Sequence, residues 1–295
     1  MKIAFLGLGA IGAPMAAHLV GRFDLTVWNR TASKAAEFSA THGGAVAATP
    51  CLAVTDAPVV ITCFPTSREV EALLDGAEGV LAGMQSGATL VDCTSGDPAS
   101  SRRIATRLAE LGLGFVDAPV SGGVVGALSG TLTVMCGGNE ATYVRVLPVL
   151  QAFGKKIVHV GPVGAGHALK AVNNALLAVH IWSTAEGLAA LVKAGVKPTV
   201  ALDVINASSG RSNSSEHLIP LRVVSRAFPR TFRLALLEKD IAIAADFLRE
   251  QRVPSLIIQQ AAELFRLARL ELGEAADHVE AVKIVERWGD VVISD

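Results

Sequence analysis

Strong charge of either sign is missing from this chain. Its 295 residues carry 26 Lys plus Arg against 27 Asp plus Glu, a net charge of -1, and no block of like charge stands out. Nucleic-acid grooves and basic membrane-binding faces need such blocks, so no nucleic acid and no membrane is expected as a partner. Cysteine is sparse too: Cys51, Cys63, Cys93 and Cys136 lie far apart and form no C-x-x-C pair. That spacing argues against a disulfide framework or a metal site and for reduced structural thiols, so a cytoplasmic protein is expected. The seven histidines are scattered and form no ligand set, so no metal is expected. Aromatics reach only 5%, while Ala, Gly and Val dominate, and small side chains let backbones approach one another and their ligands closely. There is no internal repeat and no low-complexity segment.

Long uninterrupted apolar runs are also absent, despite two look-alikes. Residues 3–20 are apolar but broken by glycines and Pro14, unlike the core of a targeting peptide. The charge-free run 118–139 is long enough to span a bilayer, yet Gly, Ser, Thr and Asn interrupt it. It reads as a loop with a strand, and a soluble protein is expected.

What the chain does have is apolar material: 51% hydrophobic against 18% charged residues. At roughly 150 residues per domain, that fills the cores of about two domains. β-Branched runs at 2–6, 25–28, 45–47, 59–64, 89–93, 114–117, 131–136 and 157–160 alternate with helical patterns such as 32–41, 67–74 and 98–111. Such alternation predicts an α/β domain with a mainly parallel sheet covered on both faces, its last strands extending the sheet in another sense. From Gly166 onward the strand signals stop. Helices are expected at 167–194, 198–207, 234–251, 255–272 and 277–288, the last opening on the capping-box spacing of Asp277 and Glu280. Two domains follow, 1–163 and an all-α 164–295, joined by a long helix.

The first strand runs straight into Gly7-Leu8-Gly9-Ala10-Ile11-Gly12, and Pro14 falls early in the helix that follows. Alone, a G-x-G-x-x-G is weak. In this setting Gly7 makes the tight turn, Gly9 admits a pyrophosphate and Gly12 lets helix and strand pack, while free N–H groups meet the phosphates. Dinucleotide sites of this type usually carry Asp or Glu about 20 residues on, accepting from the ribose hydroxyls. Here that place holds Asn29-Arg30-Thr31. Arg30 offers planar donors to a 2′-phosphate with no carboxylate to repel it, so NADP(H) is expected ahead of NAD. The bland alternative makes Arg30 a solvated loop residue. Phe64-Pro65-Thr66 and Thr94-Ser95 end two further strands on the same face, and either alone is merely a turn.

Two segments remain. Residues 117–127 start at Asp117 and pass through Ser121-Gly122-Gly123, placing a hydroxyl beside backbone N–H groups; a plain turn and an anion-binding turn are equal readings. Residues 164–174 place Lys170 and Asn174 four apart on one face of an apolar helix. On residue type alone, Lys170 is better read as solvated or snorkelling than as a proton carrier whose pKa burial would lower. His167, His180 and Trp182 read as packing residues. Arg211, in the polar loop 208–213, either pairs with a carboxylate or supports the loop.

Taken in order, the glycine fingerprint, 117–127, 164–174 and Lys239-Asp240 resemble the β-hydroxyacid dehydrogenase family across essentially the whole chain. That resemblance implies a Rossmann-type doubly wound sheet followed by an all-α C-terminal domain, an active site between them, and homodimers or homotetramers built through the helical part. It implies Lys170 as general acid/base and Asn174 as the residue orienting substrate. Ser121, Gly122 and Gly123 would hold the substrate carboxylate, Lys239 would reach towards the cofactor, and Thr66 with Thr94 or Ser95 would border the nicotinamide ribose. The implied reaction is hydride transfer between a short 3-hydroxy acid, 3-hydroxyisobutyrate first, and its semialdehyde. Tartronate semialdehyde, succinic semialdehyde or glyoxylate reduction is the neighbouring alternative. A non-catalytic NADP-binding sensor is the rival of another class, and it leaves Lys170 without a purpose. Asn29-Arg30-Thr31 departs from the family's commonest NAD pattern.

Overall fold

The computed structural model describes residues 1–295. The chain divides into two compact units, Met1–Lys170 and Ala171–Asp295. The division expected after residue 163 stands before the long helix Ala165–Lys193; the observed one falls in that helix's second turn.

The first unit is built on nine strands: β1 Lys2–Leu6, β2 Asp24–Trp28, β3 Ala45–Val46, β4 Val59–Thr62, β5 Thr89–Asp92, β6 Gly114–Asp117, β7 Val120–Ser121, β8 Leu132–Gly138 and β9 Gly154–Gly161. They lie in the order β3-β2-β1-β4-β5-β6, all parallel. β8 then runs antiparallel to both β6 and β7, and β9 lies parallel to β8. The expected change of sense at the end of the sheet is therefore present.

Alternation along the central strands splits the core in two. Ile3, Phe5, Ile61 and Val91 are buried in one apolar layer, and Ala4, Leu6, Val60 and Leu90 in the other. Successive strand residues point to opposite faces, so a strand covered by helices on both sides must be apolar at every position. β1, with β2 on one side and β4 on the other, marks the point where strand order reverses. Ligands of such sheets sit beyond the carboxyl ends of the strands there.

Several elements differ from the expectation. The run 59–64 leaves the sheet after Thr62. The segment read as a glycine-rich turn is instead the short strand Val120–Ser121 followed by a helix, Gly123–Ser129. Glycine lowers helix propensity by about 1 kcal/mol per residue, which hid this element; packing of Gly126 and Ala127 compensates. Helix Glu140–Leu150, capped by Asn139, was also not anticipated.

The second unit is helical: the rest of Ala165–Lys193, then Pro198–Asn206, Ser214–Val224, Leu234–Glu250, Leu256–Leu272, a 3-10 turn His278–Ala281, and Val282–Gly289. Ala175, Ala178, Ile181, Ala185 and Leu188 are fully buried against Leu237, Ile241, Phe265 and Ile284. Small residues on the long helix let its neighbours approach, and Trp182 fills the remaining space between Phe265 and Trp288 with ring centroids 5.9 and 5.8 Å away. By length and composition the long helix is also apolar enough to cross a membrane. The expected capping box of Asp277 and Glu280 is present. Ser214–Val224 was not foreseen; it is a π-helical stretch whose serines and Pro220 disguise any helical period.

Candidate active site

β1 delivers the chain to Gly7, whose φ of +104° belongs to the left-handed region open to glycine. The loop is crowded from behind and open in front. A Cβ on Gly7 would stand 2.3 Å from the Cys63 carbonyl oxygen, and one on Gly12 would stand 2.0 Å from the Gly7 oxygen. At Gly9 a Cβ would meet nothing within 4 Å. Gly7 and Gly12 are thus demanded by the fold, whereas Gly9 leaves a cradle that an added side chain would fill. That open face is what a pyrophosphate requires, so the loop fits a dinucleotide. Leu8, Ala10 and Ile11 complete it, with Ala10 exposed and Ile11 half-buried.

Asn29 has a task the sequence reading missed. Its Oδ1 accepts the Leu8 N–H at 2.9 Å and its Nδ2 donates to the Thr31 carbonyl at 3.0 Å, so it pins the glycine loop to the end of β2. Arg30 and Thr31 beside it are exposed.

The loops after β4 and β5 are tied to each other. Thr94 is buried, and its hydroxyl accepts the Phe64 N–H at 3.1 Å. Asp92 holds the same turn, its Oδ1 accepting from the Thr62 hydroxyl at 2.9 Å and the Thr94 N–H at 3.1 Å. Thr66 spends its hydroxyl on Glu69 at 2.9 Å, capping the helix Ser67–Leu74. Pro65 is exposed and Ser95 half-buried.

Asp117, which opens the segment 117–127, is engaged by a helix distant in sequence. Its two oxygens accept the backbone N–H groups of Gly164 and His167 at 2.7 and 2.9 Å. A carboxylate at a helix N-terminus satisfies donors that have no intrahelical partner and complements the dipole. Burial pushes its pKa above the ordinary carboxylate value, against the opposing pull of His167 and these N–H bonds. Gly166 permits the approach, since a Cβ there would lie 2.3 Å from the Met135 carbonyl oxygen. The helix start that carries Lys170 is therefore seated on β6 and β8. Ser121 is half-buried at the end of β7, with Gly122 and Gly123 exposed next to it.

Lys170 and Asn174 are both buried, at 9% and 3% exposure, which turns the solvated reading of the lysine aside. In the second unit Asn174 Nδ2 donates to Asp240 Oδ2 at 2.6 Å, and Lys239 Nζ lies 2.9 Å from Asp240 Oδ1. Asp240 is 2% exposed, and a carboxylate so buried requires these two partners. In the sequence its adjacency to Lys239 is the one signal of this role. Arg211 pairs with the exposed Glu216 at 3.7 Å, in keeping with loop support.

Residues 2–161 match the model of the NAD binding domain of 6-phosphogluconate dehydrogenase. Residues 164–285 match that of the NAD-binding part of NADP-dependent 3-hydroxyisobutyrate dehydrogenase. The chain belongs to the β-hydroxyacid dehydrogenase family. It is similar to 2-(hydroxymethyl)glutarate dehydrogenase of Eubacterium barkeri, 38% identical over 100% of this chain and 98% of that protein. It is also similar to the NAD-dependent L-serine dehydrogenase of Pseudomonas aeruginosa, 36% identical over 90% of this chain and 91% of that one. Among solved structures, Mycobacterium tuberculosis 3-hydroxyisobutyrate dehydrogenase with L-serine superposes with a TM-score of 0.88 at 32% identity, covering 96% of this chain and 98% of that one. This β-hydroxyacid dehydrogenase is an NAD(P)-dependent enzyme with the Rossmann-like and helical organisation of its relatives.

Proposed function

We propose that the enzyme oxidises 3-hydroxypropanoates substituted at carbon 2, 3-hydroxyisobutyrate first among them, and reduces the matching semialdehydes. 3-Hydroxyisobutyrate, L-serine and 2-(hydroxymethyl)glutarate, named for the relatives, share one skeleton: a primary alcohol on a carbon next to the one bearing the carboxylate. The observation that carries the chemistry is the burial of Lys170, one helical turn before a buried Asn174 whose amide donates to Asp240.

The nicotinamide, when bound, supplies the hydride acceptor or donor. This chain's residues do the rest. Lys170 Nζ takes the hydroxyl proton as the alcohol is oxidised; in reduction its ammonium polarises the carbonyl and returns the proton. Asn174 orients the substrate, its amide held by Asp240. Ser121 with the Gly122 and Gly123 backbone N–H groups receives the carboxylate. Thr66, Thr94, Ser95 and Lys239 line the nicotinamide side. Arg30 receives the 2′-phosphate, which makes NADP(H) the preferred cofactor.

A homodimer or homotetramer is proposed as well, supported by Leu256, Ile257 and Leu270, which are 83%, 63% and 65% exposed on one helix. Light scattering at assay concentration tests it, and a monomer refutes it.

Steady-state rates on the three named acids, with succinic semialdehyde, tartronate semialdehyde and glyoxylate in the reverse direction, each with NADP and NAD, test the reading. Highest kcat/KM on a 2-substituted 3-hydroxypropanoate with NADP supports it. Preference for glyoxylate or succinic semialdehyde moves the enzyme to the neighbouring reductases, and cofactor binding without turnover across the panel favours the sensor.

A further inference from the structure

The mechanism above makes no use of His167, yet no other ionisable group in the first unit is so completely enclosed and so close to Lys170 in the chain. It is 1% exposed and sits three residues before the lysine, on the same side of the helix. Its Nδ1 lies 2.6 Å from the Ser101 hydroxyl. Its Nε2 has no hydrogen-bond partner, and neither does Asp92 Oδ2; both atoms are buried, and they face each other at 3.9 Å. Two buried polar groups without partners are costly unless they serve each other.

Proton placement follows from the neighbours. The Ser101 hydroxyl has one hydrogen, and the Asp97 carbonyl, 3.2 Å away, competes for it. If Ser101 donates to Nδ1, the ring carries its proton on Nε2, aimed at Asp92. The Nδ1 contact, at 2.6 Å against 3.2 Å, favours the first arrangement, which puts the ring's N–H on Nε2, facing Asp92.

Asp92 is also the residue whose other oxygen holds Thr62 and the Thr94 N–H. The loop at 94–97 touches the ring from a second side: a Cβ on Gly96 would stand 2.7 Å from His167 Cε1 and 2.9 Å from Nδ1. Below, the His167 backbone N–H is bound by Asp117. The imidazole thus wedges between the loop assigned to the nicotinamide and the helix turn that carries the proton-transferring amine.

We propose that His167 is a positioning residue: through Asp92 and Gly96 it sets the distance between the loop after β5 and the first turns of the Lys170 helix. This rests on the assignment of Lys170 as acid/base. The substitutions His167→Asn and His167→Gln separate the two ring nitrogens. The Asn amide reaches about as far as Nδ1, keeping Ser101 and vacating the space before Asp92. The Gln amide reaches about as far as Nε2 and can still donate to Asp92.

The expected result is kcat within about threefold of wild type for His167→Gln and lowered about tenfold or more for His167→Asn, with KM and cofactor Kd nearly unchanged in both, because misplacing a reacting group costs turnover rather than binding. Wild-type kcat in His167→Asn overturns the proposal. Equal losses of kcat in the two variants that track equal losses in Tm also overturn it, because they describe packing alone. A second readout does not need turnover: the NMR signal of 13C-dimethylated Lys170, assigned with Lys170→Arg, should shift in His167→Asn and stay in place in His167→Gln. Should wild type turn over nothing in the substrate panel, the function assignment has failed, and this signal still decides whether His167 sets the lysine's place; an unmoved signal in His167→Asn overturns it.

Discussion

Asn174 Nδ2 donates one amide hydrogen to Asp240 Oδ2 at 2.6 Å, with both side chains removed from solvent. A buried acid is thus neutralised by a neighbouring Lys239 and an amide, and the amide's orientation is fixed as a consequence. Asp240→Ala should remove the acceptor of the Asn174 amide and the carboxylate beside Lys239. Loss of a buried, hydrogen-bonded carboxylate predicts roughly 3 kcal/mol of destabilisation and a clear fall in kcat/KM. Chemical denaturation with kinetics checks both, and an unchanged kcat/KM would detach Asn174 from substrate orientation.

The glycine loop predicts two different losses, one of stability and one of cofactor affinity, at Gly12 and Gly9. Gly12→Ala forces a Cβ against the Gly7 carbonyl and should destabilise the protein by about 1–3 kcal/mol. Gly9→Ala meets nothing in the protein, so Tm should hold while cofactor affinity falls about tenfold or more. Thermal melts and cofactor titrations separate the two; a Gly9→Ala protein that binds cofactor normally would mean the open face is not the pyrophosphate cradle.

Arg30 is exposed and next to an Asn29 already committed to the loop. Arg30→Asp should lower kcat/KM with NADP and raise it with NAD, since a carboxylate there repels a 2′-phosphate and accepts from ribose hydroxyls. Equal kcat/KM for the two cofactors, untouched by the substitution, would remove Arg30 from cofactor choice.

Much of this arrangement was legible in the sequence for definite reasons. Central strands such as Val59–Thr62 are apolar up to their last residue, and the helix Ser67–Leu74 carries a self-contained cap. Gly7, Gly9 and Gly12 could be placed because strand and helix flank them. What stayed hidden depended on contacts distant in sequence. Asp117 reads as a turn residue until Gly164 and His167 are brought against it from nearly fifty residues away. His167 reads as packing until Asp92 and Gly96 close around it. The helix Gly123–Ser129 has too much glycine, and Ser214–Val224 too irregular a period, for local propensity to reveal either.

Acid should unfold the helical unit in part through Asp277. Burial would raise the pKa of this carboxyl, but the hydrogen bond and charge of His278 with the Phe232 and Thr231 N–H groups outweigh it and hold it well below the usual carboxylate range. A depressed folded pKa contributes stability above the unfolded value, near 3.9, that is lost as pH falls below it towards the folded value. Asp277→Asn should therefore flatten the loss of stability below about pH 4, measured by denaturant unfolding across pH. A slope unchanged by the substitution would place the acid sensitivity elsewhere.

Buried thiols should be inert. Burial first, then the charge of Asp117, pushes Cys136 up to about 12, and burial likewise raises Cys93. Neither should react with a thiol reagent at neutral pH until denaturant is added. Rapid modification of either in the folded enzyme contradicts this.

The most direct test of the account is Lys170→Ala, with kcat measured on the best acid of the panel and NADPH affinity measured by fluorescence titration. The account predicts a loss of kcat of about a hundredfold or more with cofactor Kd essentially unchanged. Near-normal turnover in that variant would contradict it.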